Sequence, residues 1–123
     1  MKKILVLILF FSFSNVIASE FTTNFTIEAF EDAQKNGKTV VVYSWNKYCG
    51  TCAKQKPVLN QAKLDFKDIL FLNYEQTKHK DIAKLLNINY WSTIAIYKNN
   101  KQVNSAIGLY TKEDIYSLIK EGI

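Results

Sequence analysis

The sequence has no arginine, one proline, one histidine and two cysteines in 123 residues. Its sixteen basic residues are all lysine, against 11 acids, for a formal net charge of +5. Without arginine the chain lacks the forked donor that commonly reads guanine, so no nucleic-acid partner is expected. Two cysteines are too few for a disulfide-built scaffold. Zinc sites usually take four ligands, and with two cysteines and one histidine a complete zinc site is not expected; no cofactor is expected. There is no repeat, no low-complexity tract and no linker. The length fits one domain, and about 100 residues can bury a workable core without covalent staples. A monomer is the default expectation.

What is present begins with a leader pattern. Met1-Lys2-Lys3 is a short positive start, and Ile4 to Phe13 is apolar apart from Ser12. Val16-Ile17-Ala18 then puts modest side chains before Ser19. That order predicts a secretory signal peptide over residues 1–18, cleaved near Ala18, ahead of a domain over 19–123. The apolar stretch is short against the roughly 20 residues a spanning helix needs. Cleavage removes Lys2 and Lys3 and lowers the formal charge from +5 to +3. The expected location is outside the cytoplasm, in a bacterial periplasm, where disulfides persist.

Downstream, apolar spacing and punctuation predict alternating helices and strands. Thr26 caps a helix in which Phe25 staples onto Phe30, and Gly37 ends it. Thr39 to Trp45 is β-branched and aromatic with no polar alternation, as in a strand buried on both faces. Ala53 to Phe66 reads as a helix with Val58, Leu59, Ala62 and Phe66 on its apolar face and Pro57 inside it. Ile69 to Tyr74 is a second buried strand, Ile82, Leu85 and Leu86 mark a short helix, and Thr93 to Tyr97 is a third strand. Asn99-Asn100 turns the chain into a hairpin partner over Lys101 to Ile107. Thr111 opens a last helix lined by Ile115, Leu118 and Ile119. Helix-joined strands favour parallel pairing, and the hairpin adds an antiparallel edge. The expected class is α/β, a central mixed sheet of four to five strands flanked by helices.

The chemistry concentrates in "SWNKYCGTCAKQKP", Ser44 to Pro57, which holds both cysteines and the only proline. Cys49 and Cys52 close so small a loop that the bond constrains the unfolded chain little, and stability is a poor reason for it. Cys-x-x-Cys between a buried strand and a helix suits exchange chemistry. A thiolate attacks a foreign disulfide, and a second thiol within reach releases the product. The helix dipole favours a thiolate at Cys49, the expected nucleophile, with Cys52 resolving. Lys47, Lys54 and Lys56 add positive charge or are plain solvated surface. An inert disulfide is the competing reading, and His79 is expected to be a solvated residue near a helix start.

These residues resemble the thioredoxin family over nearly the whole domain. Trp45, Cys49, Cys52 and Pro57 stand at the positions of its hallmark motif. Gly50, followed by Thr51, agrees with a common family dipeptide, and "IAIYKNNKQV" resembles its hairpin. The resemblance implies a thioredoxin-like fold and thiol–disulfide exchange with cysteine-containing protein substrates. Three positions depart from it. Tyr48 stands where a tryptophan often precedes the first cysteine. Tyr43 and Phe71 stand where many members pair a buried aspartate with a lysine. Losing both leaves no buried charge unpaired, and water or the Tyr43 hydroxyl is expected to accept the proton of Cys52. Ser92, followed by Thr93, stands where the family has a cis-proline facing the disulfide. A cis bond before a non-proline costs about 2.5–4 kcal/mol, so Trp91–Ser92 is expected to be trans. Trp91, Ser92 and Thr93 are the candidate substrate-contacting residues, with Ser92 as a possible hydrogen-bond donor to the Cys49 thiolate.

The expected function is thus an exported thiol–disulfide oxidoreductase. Gly50 and Thr51 put no cation between the sulfurs, which favours a reductant, supplied by a membrane-embedded thiol carrier. Two alternatives stay open: a thioredoxin-fold copper binder, since soft thiolates suit Cu(I), and a non-catalytic peptide-binding module.

Overall fold

The computed structural model describes residues 23–123; the expected leader lies outside the described residues. The elements in chain order are β1 (Thr23–Asn24), α1 (Ile27–Lys35), β2 (Val40–Trp45), α2 (Gly50–Asp65), β3 (Leu70–Glu75), α3 (Lys80–Leu86), β4 (Thr93–Lys98), β5 (Lys101–Ile107) and α4 (Lys112–Glu121). They build one five-stranded sheet in the order β1-β3-β2-β4-β5. β1 and β2 pair parallel to β3, while β4 runs antiparallel to both β2 and β5.

Local chemistry explains most boundaries. Thr26 accepts from Ala29 N at 3.1 Å and caps α1, and the Phe25 and Phe30 rings meet at 5.5 Å. Gly37 follows that helix at φ 72°, a conformation glycine adopts without a Cβ penalty. Thr111 caps α4 by accepting from Asp114 N at 3.2 Å. Asn99 and Asn100 both have positive φ, as a tight hairpin turn requires.

The central strand β2 is buried on both faces, which is why it shows no polar alternation. Val40 and Val42 face a core with Phe30 and Ala33 of α1 and Ala83 and Leu86 of α3. Val41 and Tyr43 face the opposite core, with Leu59 and Ala62 of α2 and Ile115 and Ile119 of α4. Both cysteines belong to this second core. Leu85, grouped with the apolar face of α3 by its spacing, points to solvent instead.

Two features differ from the sequence pattern. β1 pairs Thr23 with Leu72 and Asn24 with Asn73, and two exposed polar residues carry no periodic signal. β4 follows a helix yet is antiparallel to β2, with Thr93 opposite Ser44 and Tyr97 opposite Val40. The seven residues of α3 cover only about 10 Å, half the roughly 20 Å of a six-residue strand. The chain therefore re-enters the sheet at the end it left. No helix among the described residues is long and apolar enough to cross a membrane.

Leu59 is fully buried between α2 and the sheet. Leu59→Ala is expected to lower the unfolding free energy by about 2–5 kcal/mol, read from urea denaturation. Burial also pushes the hydroxyls of Tyr74 and Tyr97 up to about 12, a neighbouring Tyr74 adding to the shift of Tyr97 and a hydrogen bond with Ser44 opposing that of Tyr74. Burial alone pushes Tyr43 higher still. Unfolded tyrosines ionise near 10, so the folded form keeps protons that the unfolded chain releases. The tyrosine contribution is thus fully present below pH 10 and is lost as pH rises from 10 towards 12. Denaturation midpoints measured across that window are expected to fall.

Candidate functional site

The site forms where β2 stops. Asn46, buried just past the strand, organises the turn: its backbone carbonyl accepts from Cys49 N at 3.1 Å and its Oδ1 from Tyr48 N at 3.0 Å. Asn46 Nδ2 donates to Thr77 Oγ1 at 2.8 Å, tying the turn to the segment after β3. Cys49 then becomes the N-cap of α2 in extended conformation, and its Sγ accepts from Cys52 N at 3.1 Å. The helix starts three residues earlier than the apolar pattern suggested, because the cap is a sulfur rather than a hydroxyl or carboxylate.

Cys49 and Cys52 are joined in a disulfide with Cα atoms 5.2 Å apart. Cys49 is 8% exposed and Cys52 only 1%. The positive end of the α2 dipole and a backbone donor both face Cys49 Sγ, and both favour negative charge there over a neutral thiol. The outer sulfur is therefore the one that can be attacked and can attack, and the inner one lies within its reach.

The other expected residues fall into two groups. Near the pair, Gly50 and Thr51 fill the first turn of α2, and Tyr48 is 81% exposed with Lys47 Nζ 5.0 Å from its ring centre. Trp45 is half-buried against the same core, donates from Nε1 to Asn73 Oδ1 at 2.9 Å and carries Lys56 Nζ 4.8 Å over its ring. Lys54 lies 5.0 Å over Tyr110. Pro57 is exposed inside α2, where it removes one helical hydrogen bond. Tyr43 is fully buried, and its hydroxyl donates to Cys52 O at 3.2 Å. Burial holds that proton in place. The hydroxyl thus anchors the backbone of Cys52 in the oxidised form. Phe71 lies in the same core as Tyr43, so an aromatic pair occupies the ground of a charged one.

The second group is the loop before β4. The described residues contain no cis peptide bond, and Ser92 has φ 57°. A non-glycine residue in the left-handed region is strained by about 1–2 kcal/mol. The loop is held by the carbonyl of Ser92, which accepts from Gly108 N at 3.0 Å and from Gln55 Nε2 at 3.1 Å. Thr93 Oγ1 donates to Tyr90 O at 2.7 Å, so its hydroxyl turns into the loop. Trp91 is 43% exposed and, with Gln76, Thr77, Tyr90, Ser92 and Ile107, lines a cleft of about 360 Å³. In this oxidised form no hydrogen bond joins the Ser92 hydroxyl to Cys49. His79 is exposed at the start of α3, as its sequence position suggested. Among the described residues no three His, Cys, Asp or Glu side chains gather into a metal-binding set.

Sequence reasoning missed Asn46 and Gln55. Asn46 carried a usable signal, since asparagine after a strand favours turns closed by its own side chain. Gln55 carried none, because a polar residue three after a cysteine reads as helix surface. It is fully buried.

The thioredoxin family profile matches residues 21–121. The chain belongs to the thioredoxin family. It is 24% identical to the thioredoxin of Rickettsia bellii over 105 residues, 82% of this chain and 98% of that one. It is 33% identical to the chloroplastic F-type thioredoxin of Pisum sativum over 72 residues, 58% of this chain but only 40% of that one. Its fold superposes on a thioredoxin-like protein of Edwardsiella tarda with a TM-score of 0.74 at 20% identity, covering 78% of this chain and 95% of that one. Oxidised mitochondrial thioredoxin 3 of Saccharomyces cerevisiae gives a TM-score of 0.72 at 22% identity, covering 84% and 99%. A thioredoxin-family chain with its Cys49–Cys52 pair joined at a helix tip is a thiol–disulfide oxidoreductase.

Proline fixes φ near −65°, which a site at φ 57° cannot accept. Ser92→Pro is therefore expected to destabilise this thioredoxin by more than about 1 kcal/mol, although proline is the family residue there. A lowered midpoint in thermal denaturation is the check.

Proposed function

We propose that this thioredoxin works outside the cytoplasm as a reductant of cysteine-containing proteins, receiving electrons from a membrane-embedded thiol carrier. The observation that carries the chemistry is the contrast between the two sulfurs. Cys49 Sγ caps α2, accepts a backbone N–H and reaches solvent, whereas Cys52 is sealed in the core. Thiolate at Cys49 attacks the substrate disulfide; one substrate sulfur leaves as a thiol and the other is joined to Cys49. Cys52 then attacks Cys49 Sγ, the substrate leaves fully reduced, and the Cys49–Cys52 bond closes.

Three observations support the direction and place. Gly50 and Thr51 bring no cationic side chain between the sulfurs, so the helix end and one backbone donor are the main aids to the Cys49 thiolate. A strong oxidant needs a more heavily stabilised thiolate. The leader-like residues 1–18 support export. The cleft lined by the exposed Tyr90, Trp91 and Ile107 offers apolar surface to a polypeptide carrying the target disulfide. Tyr90, 64% exposed, also offers a hydroxyl for a hydrogen bond to a peptide backbone.

The test is reduction of a model protein disulfide, such as insulin, driven by a small dithiol. The wild-type protein is expected to accelerate it, and Cys49→Ser to fall to the uncatalysed rate. Cys52→Ala is expected to attack once and remain joined to its substrate, giving a covalent complex on a non-reducing gel. A Cys49→Ser protein with full activity, or a fusion reporter that stays in the cytoplasm, overturns the reductant or the export respectively.

A further inference from the structure

Gln55 sits on the buried stripe of α2 that also holds Cys52, Leu59 and Ala62. A fully buried amide in that row needs an explanation, because neighbouring positions are filled by sulfur and hydrocarbon. Half the explanation is visible. Gln55 Nε2 donates to Ser92 O at 3.1 Å and to Leu109 O at 2.7 Å. One side chain thus ties α2 to the loop before β4 and to the segment after β5. Two carbonyl partners also fix which end of the amide is nitrogen, since the flipped form would set oxygen against oxygen.

The other half is an unanswered acceptor. Gln55 Oε1 is the buried side-chain polar atom without a hydrogen-bond partner among the described residues. Such an atom is costly unless a donor arrives in another state of the protein. Reduction of the pair would supply one. When an external dithiol reduces the pair, it delivers two electrons and loses two protons. With Cys49 left as thiolate, one proton goes to solvent and the other remains on Cys52 Sγ, which burial in an apolar core keeps neutral. A thiol is a donor, whereas the disulfide sulfur it replaces is not. Helix side chains incline towards the N-terminus, and Gln55 lies three residues beyond Cys52 among the buried residues of α2, which puts the amide within the range of that sulfur's turn.

We propose that Gln55 is a redox-sensing positioning residue whose Oε1 accepts the hydrogen bond of the Cys52 thiol in the reduced protein. The acceptor is unsatisfied while the disulfide is closed and satisfied once it opens, so Gln55 favours the reduced form. The same side chain, held at Ser92 and Leu109, transmits the redox state to those two segments, the first of which carries the candidate substrate-contacting residues. This rests on the pair cycling between disulfide and dithiol, and not on the direction of electron flow.

The experiment is equilibration of the full chain with a graded glutathione or dithiothreitol buffer, with denaturation of each redox form measured in parallel. Gln55→Leu and Gln55→Met are expected to lower the reduced-to-oxidised ratio at fixed buffer by about three- to tenfold; tenfold corresponds to about 30 mV for this two-electron couple. Equal destabilisation of both forms with an unchanged ratio overturns the proposal, since a simple tether acts on both alike. A second readout does not depend on those variants folding. In Cys49→Ser the sole thiol is Cys52, and its infrared S–H stretch is expected below that of free cysteine. In wild type the Gln55 Cδ resonance is expected to move on reduction. A free-thiol frequency or an unmoved resonance overturns the proposal. A wild-type pair that no dithiol opens overturns both this proposal and the exchange chemistry beneath it.

Discussion

The site depends on a short turn between a strand and a helix. β2 lies in the middle of the sheet with both faces covered, so its position is fixed on every side. Four residues separate its end at Trp45 from the start of α2 at Gly50. Asn46 closes that turn with its own side chain and carbonyl, and Cys49 has to emerge at the helix cap. The reactivity of the pair follows from this placement. One sulfur receives the helix dipole and a backbone donor, while the other is driven into the core beneath the same turn.

The floor beneath the disulfide is neutral. Tyr43 and Phe71 occupy ground where a charged pair would need compensation for desolvation. The phenol gives something a phenylalanine cannot: a hydrogen bond to the carbonyl of Cys52 that steadies the first turn of α2. Burial raises the pKa of that phenol, so it stays a neutral hydrogen-bond donor. The buried amide of Gln55, three residues beyond Cys52, bonds to the carbonyls of Ser92 and Leu109.

The loop before β4 shows how a position can be retained while its usual residue is not. Ser92 keeps a trans bond and takes a left-handed backbone, held by two donors to its carbonyl from α2 and from Gly108 after β5. These bonds offset the strain of the turn and keep Trp91 beside the cleft. Ser44, deep in β2, adds to the support, its hydroxyl lying 2.7 Å from Gln76 Oε1 and 3.2 Å from Tyr90 O.

The amino-acid order by itself determined the elements with strong local signals: the capped helices at Thr26 and Thr111, the doubly buried strand at Val40–Trp45, the Asn99-Asn100 hairpin and the cysteine pair on its helix. Each is written in residues near one another, through periodicity, caps or positive φ. The antiparallel entry of β4, the two-residue β1, the role of Tyr43 and the burial of Gln55 were decided only in three dimensions. β4 runs as it does because α3 is too short to carry the chain back along the sheet. Gln55 is buried because its partners, Ser92 and Leu109, lie 37 and 54 residues away, and no local pattern can announce a hydrogen bond to a carbonyl that only folding brings near.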